Sequence, residues 1–222
     1  MYCLKTAELY DLSHTKASAL LSECEYPWLA LPKIKAFVTE LIKSMANDED
    51  YYFYAENALV SKSATIASSA TICGPCIIGA GTEVRPSAYI RGSVIVGEGC
   101  VVGNSCELKN SILFDNVQVP HFNYVGDSIL GYRSHTGAGA ITSNVKSDKS
   151  LVSVKAEGIH IETGLKKFGA MIGDFVEVGC NSVLNPGTVI GKNSNVYPLS
   201  NVRGVIPPNS IFKSQGNIVS KI

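Results

Sequence analysis

Ala64-Thr-Ile66-Ala-Ser-Ser-Ala70-Thr-Ile72-Cys-Gly-Pro-Cys76-Ile-Ile78-Gly-Ala-Gly-Thr82-Glu-Val84-Arg-Pro-Ser-Ala88-Tyr-Ile90 is the stretch that decides the fold. A small residue recurs every six positions, and an aliphatic residue stands two places after each. The same cut, begun at Ala58, puts an apolar residue third in ten consecutive blocks. These are Val60, Ile66, Ile72, Ile78, Val84, Ile90, Val96, Val102, Leu108 and Phe114, nine of them aliphatic. The first positions are Ala58, Ala64, Ala70, Cys76, Thr82, Ala88, Val94, Cys100, Cys106 and Ile112, mostly small. The period returns later with Ile172, Val178, Leu184, Ile190, Val196 and Val202. A six-residue period suits one short strand plus a corner per block. Three blocks close a triangular coil of roughly eighteen residues, which cannot bury its own apolar face and must stack on others. The expectation is an all-β parallel β-helix over residues 53–212, with a small helical segment at 1–52 and a tail at 213–222.

Composition fits that expectation and narrows function. Lys plus Arg number 19 and Asp plus Glu 19, so the formal net charge is zero. Neither a nucleic acid nor an anionic membrane surface is indicated as partner. No run reaches the ~18 apolar residues that span a bilayer. Met1-Tyr-Cys-Leu-Lys5 has no signal-like core, which points to the cytoplasm. Seven scattered cysteines then read as reduced thiols serving as small core residues. Cys73-Gly-Pro-Cys76 could be a redox or zinc CxxC, but Cys76 falls on a first position of the repeat. Gly97-x-Gly99 and Gly137-x-Gly139 lack the helix and third glycine of a dinucleotide fingerprint.

Two segments leave the period. In residues 1–52, Ile34, Phe37, Val38, Leu41, Ile42 and Met45 follow Pro32 at helical spacing, and a shorter helix is expected near 13–23 with Ser13 as N-cap. An amphipathic helical hairpin capping one end of the solenoid accounts for this; a partner-binding module is the alternative. The second break begins at Pro120, where the third-position aliphatic is lost, and runs into an irregular polar loop at about 145–168. That excursion is where function is expected, because loops on a rigid scaffold carry it.

Three segments carry a resemblance: Val102-Gly-Asn-Ser-Cys-Glu-Leu-Lys109, Pro120-His-Phe-Asn-Tyr-Val-Gly-Asp127 and Gly137-Ala-Gly-Ala-Ile-Thr-Ser-Asn144. Together they resemble the C-terminal acetyltransferase domain of bacterial N-acetylglucosamine-1-phosphate uridylyltransferase/glucosamine-1-phosphate acetyltransferases. They also resemble the archaeal sugar-1-phosphate nucleotidylyltransferases with an acetyltransferase tail, and the run from Glu162 to Asp174 is closer to those. Nothing in residues 1–52 resembles the nucleotidylyltransferase domain, so pyrophosphorylase chemistry is not expected. The resemblance implies a left-handed β-helix, a homotrimer with sites between subunits, and acetyl-CoA as cosubstrate. It puts a general base at His121 and a backbone contact to the acetyl group at Ala138. Arg91 and Lys109 fall on sugar-phosphate cations, Tyr124 on a sugar-phosphate contact, and Asn144 on a sugar-binding Asn. Cys180 and Pro198 fall on the cosubstrate side. His135 stands where the family usually has Asn, Val145 replaces a Tyr, and Ser150 replaces a Lys, with Lys149 adjacent.

The spacing itself supports part of this. Arg91 and Lys109 are one coil apart, so they stack and could clamp a phosphate, the alternative being a solvated basic pair. His121 is a side chain able to take an amine's proton near neutral pH, unless it is only a structural residue after Pro120. Backbone N–H groups at Ala138 and Gly139 could hold an oxyanion. A three-His zinc site needs a close His pair, and His14, His121, His135 and His160 supply none. No metal is expected. The chain therefore reads as an N-acyltransferase acting on an amino sugar phosphate. The rival is a non-catalytic trimer that binds a sugar phosphate or sugar nucleotide, working with a separate nucleotidylyltransferase, related only by descent to UDP-N-acetylglucosamine pyrophosphorylases.

Overall fold

The computed structural model describes residues 4–221. Short strands wind a parallel solenoid with three faces. Face one stacks Ala58–Ser61, Cys76–Ile78, Val94–Val96, the second halves of Glu107–Leu113 and Tyr124–Leu130, then Ala170–Ile172, Thr188–Ile190 and Val205–Ile206. Face two runs from Thr65–Ile66 to Ser210–Ser214, and face three from Thr71–Ile72 to Asn201–Val202. Inside, Val60, Ile78, Val84, Ile90, Val96, Val102 and Leu108 are all buried, as the third positions of the repeat require.

The stacking of coils does not break where the sequence pattern faded. Val96 pairs with Leu113, not Phe114, and Val94 with Ser111, not Ile112. One residue has been dropped, so the coil is seventeen residues long. Val119 then stands over Val102, keeping the interior aliphatic next to Pro120. In the following coil, threonines take the interior positions: Thr136 pairs with Val178 and Thr142 with Leu184. Buried Thr142 offers its Oγ1 to the Gly126 N–H at 2.9 Å. A coil can lose a corner residue without disturbing ladder register, which is set by the strands alone, and buried threonine is hidden from an aliphatic pattern.

Leu130 pairs with Ile172, a step of 42 residues. The extra residues leave after face three and return before face one. They are not an irregular loop throughout: Val152–Ala156 and Ile159–Leu165 form an antiparallel hairpin. Likewise, the expected tail is half of a hairpin, with Asn217–Ser220 antiparallel to Ser210–Ser214.

The helical segment lies along a flank rather than over an end. Face-one strands are buried at all three positions, outward middle residue included: Ile77, Ile95, Ile112, Ile129 and Met171 are 0% exposed. That outward apolar column needs a cover, and the helix Ile34–Ser44 with the 3₁₀ turn Pro27–Lys33 supplies it. Pro32 sits inside that 3₁₀ turn, two residues before the helix. The earlier helix is only Ser18–Ser22, and Ser13 is capped rather than capping, its N–H donating to Asp11. Polar ties fix the flank: Tyr10 Oη donates to the Ile129 carbonyl, and the Asp174 carboxylate accepts from the Asp11 and Tyr132 N–H groups. Trp28, 1% exposed, stacks on Tyr26 and Phe168 with centroids 4.7 and 5.7 Å apart. The first coil's end is covered by Tyr51–Ala55, antiparallel to Ala58–Ser61. Among the described residues no helix is long and apolar enough to cross a membrane. In the CxxC pair, Cys76 is buried, its thiol pushed up to about 12 by desolvation, while Cys73 is exposed.

Candidate active site

The edge between faces two and three carries one column of residues, one per coil. Asn104 pairs with His121, and the same register continues through Ala138, Cys180 and Pro198. The residue after each column member hydrogen-bonds back to the coil below: Phe122 N–H to Asn104, Gly139 to His121, Asn181 to Ala138 and Leu199 to Cys180. Each of these donors has positive φ, between 51° and 72°, which turns the chain sharply enough to start the next face. So the residues expected to act on the acyl group share one edge although 77 positions separate the first from the last.

This ladder corrects one expectation. The Gly139 N–H is not available to an oxyanion, because it donates to the His121 carbonyl at 3.0 Å. Gly137 donates to Val178, and Ala140 to Gly137. Only the Ala138 N–H of that turn has no acceptor among the described residues. His121 is exposed, and its own N–H is held by Asn123 Oδ1 at 3.1 Å, so the ring projects from a fixed corner.

Face three leads away from this edge. Its outward positions are Tyr89 and Arg91, Glu107 and Lys109, and Tyr124 below Ile141. Lys109 pairs with Gly126, five residues after His121, so the two edges stand no more than about 17 Å apart along a strand. The two expected cations do stack, but each meets a carboxylate. Arg91 reaches Glu107 at 2.6 Å, a pair near the surface, and Lys109 reaches Asp127 at 3.0 Å. Asp127 is 4% exposed and also accepts from Asn110 at 2.8 Å and from Asn144. Asn144 donates further to Tyr124 Oη at 3.2 Å. Burial, then the nearby Asp127 and Glu107 charges, raises the Tyr124 phenol above its ordinary value. Asp127 is the hub that residue-type reasoning missed, although it closes the most specific segment of the resemblance.

Two expected residues lie elsewhere on this chain. His135 is on face two, its Nδ1 2.7 Å from Glu177. Lys149 is exposed in the loop before the hairpin, in a left-handed conformation. Among the described residues no three His, Cys, Asp or Glu side chains converge as a metal site.

Residues 72–172 match the family model of the GMPPB C-terminal domain. The chain is 34% identical over 103 residues to the bifunctional sugar-1-phosphate nucleotidylyltransferase/acetyltransferase of Sulfurisphaera tokodaii, covering 46% of this chain and 26% of that protein. It is 42% identical over 84 residues to the bifunctional protein GlmU of Methanococcus maripaludis, covering 38% and 20%. The solenoid is homologous to these proteins over about a hundred residues. It spans between a fifth and about a quarter of their length. Among solved structures, the acetyltransferase domain of PglB from Neisseria gonorrhoeae, in complex with acetyl coenzyme A, aligns with TM-score 0.38 and 15% identity, over 85% of this chain and 65% of that one. GDP-perosamine N-acetyltransferase from Caulobacter crescentus aligns with TM-score 0.32 and 14% identity, over 86% and 73%.

Proposed function

We propose that this protein is an acetyl-CoA-dependent N-acyltransferase acting on an amino sugar phosphate. The observation that carries the reading is the shared edge: the exposed His121 imidazole sits one coil below the Ala138 N–H, which has no acceptor among the described residues. In the reaction, the acceptor amine attacks the thioester carbonyl carbon and His121 takes its proton. The carbonyl oxygen, negative in the tetrahedral intermediate, accepts from Ala138. The C–S bond then breaks, the new C–N bond remains, and the thiolate leaves to be protonated as the free thiol. Cys180, Pro198 and the exposed Tyr197 and Leu199 beside them offer the cosubstrate a surface above the catalytic corner. Tyr124, Asn144, Lys109 and Arg91 hold the sugar phosphate across face three. Arg91 is free to exchange its half-buried Glu107 partner for a phosphate, because ion pairs near the surface contribute about 1 kcal/mol or less. His135 and Lys149 serve a neighbouring subunit's site in a homotrimer, where an acceptor is enclosed that one open face leaves exposed.

The test is thiol release from acetyl-CoA across a panel of amino sugar phosphates. His121→Ala is expected to lower kcat by about 10²-fold or more with an unchanged melting temperature. Equal rates in the variant and the parent, or no acceptor above the buffer control, would overturn the catalytic reading. The second reading, a non-catalytic sugar-phosphate or sugar-nucleotide binding trimer, draws support from the Gly139 N–H being committed to the ladder, which leaves one oxyanion donor. It gains if titration calorimetry detects acceptor binding where thiol release is absent.

A further inference from the structure

We propose a second anion site, separate from the phosphate position at Arg91 and Lys109, in the cleft between the hairpin and the edge joining faces three and one. The hairpin is drawn against this edge by two glycines. Gly187 and Gly204 have φ of 83° and 80°, and a Cβ on either would meet the Ser153 carbonyl at 2.8 Å or the Lys155 carbonyl at 2.5 Å. Between strand and edge lies a cavity of about 190 Å³ whose walls include Lys146, Ser153, Lys155, Asn185, Arg203 and Gly204. It contains three cationic side chains and no carboxylate. Among the described residues, Lys155 and Arg203 have no carboxylate within 4.0 Å and their side chains make no hydrogen bond. Lys146 donates only to Ser150 Oγ and the Leu151 carbonyl. The Gly204 N–H likewise has no acceptor among the described residues. Asp148 and Glu157 stand on the walls of the adjoining cavities, and the Asp148 carboxylate is engaged by the Ser150 N–H and hydroxyl.

Arg203 occupies the same edge column as Arg91 and Lys109, through Gly126, Ser143 and Asn185. Five coil steps of about 4.8 Å put the two arginines roughly 24 Å apart, so they cannot grip one phosphate of a single sugar. The contrast in pairing separates them further, since Arg91 and Lys109 hold carboxylates and the cleft cations hold none. Three positive charges around a small cavity, with a backbone N–H beside them, match a diphosphate, whose oxygens accept from a guanidinium fork and from ammonium groups at once. The ligand class is a diphosphate, free or carried by a nucleoside.

Calorimetric titration of the full chain with inorganic pyrophosphate tests this, with sulfate as control and UDP and ADP as further arms. Pyrophosphate is expected to bind one per chain and at least tenfold more tightly than sulfate. Arg203→Ala and Lys155→Ala should each weaken it several-fold and together abolish it, while Arg91→Ala leaves it unchanged. Tighter binding of UDP or ADP than of pyrophosphate assigns the site to a nucleoside diphosphate; equal binding assigns it to the diphosphate alone. Pyrophosphate no tighter than sulfate, or binding lost in Arg91→Ala and kept in Arg203→Ala, overturns the proposal. Both cleft residues are exposed, and unchanged melting temperatures verify folding. The readout is binding, so it stands apart from whether the chain transfers acetyl groups.

Discussion

At the scale of single residues, the site depends on where each polar group spends its hydrogen bonds. The corner ladder uses the His121 carbonyl, the Gly139 N–H and the Ala138 carbonyl, while the His121 ring and the Ala138 N–H have no partner among the described residues. Asp127 shows the opposite case, a buried carboxylate that needs every donor around it. Lys109→Ala leaves it with Asn110 and Asn144 alone. The variant is expected to lose about 2 to 3 kcal/mol in urea unfolding, since removing one partner strands the other. Lys109→Ala combined with Asp127→Asn should regain most of that loss; equal destabilisation in the single and double variants would count against the hub role. The His121 and Lys109 positions were legible in the sequence from motif and spacing. Asp127 was not, because carboxylates at coil corners are common and only the fold shows that this one is enclosed.

At the scale of elements, the flank is governed by a column that the six-residue pattern contains but does not highlight. Ile77, Ile95, Ile112 and Ile129 point outward from face one, and their burial depends on the helical segment. Trp28 joins that segment to Phe168 at the base of the hairpin. Trp28→Ala is expected to cost about 3 to 5 kcal/mol, read from chemical unfolding followed by circular dichroism. A cost below about 1 kcal/mol would show that the segment docks without it. The helix at 34–44 could be read from its apolar spacing. Its place along a flank could not, because periodicity identifies which face of a helix is apolar and not which partner covers it. The break expected at Pro120 was a misreading with a clear cause: a seventeen-residue coil and two interior threonines removed the aliphatic signal while the ladder continued.

At the scale of the whole molecule, stacking of the coils buries first-position residues such as Cys76 and Cys100 away from water, with a consequence for pH. Burial pushes the Cys76 and Cys100 thiols up to about 12, and desolvation raises the Tyr10 phenol well above its ordinary value. A raised acid keeps its native-state stability below the unfolded value, about 8.5 for a thiol, and loses it as pH climbs toward the native value. Unfolding free energy is therefore expected to fall steadily from about pH 9 to pH 12, followed by the fluorescence of the single tryptophan. Cys76→Ala with Cys100→Ala should flatten that fall; an unchanged slope would assign it elsewhere. The same stacking presents flat outer faces for association, and sedimentation is expected to give three times the 23.7 kDa of one chain. A monomer at micromolar concentration would remove the shared-site part of the proposed function. The sequence by itself determined the solenoid, because a strict six-residue alternation of small and aliphatic residues has one way to bury its apolar side. Only the tertiary structure decided which N–H groups remain free, what covers face one, and that the hairpin closes a cationic cleft. Those outcomes depend on contacts between segments far apart in the chain, and local spacing does not encode such contacts.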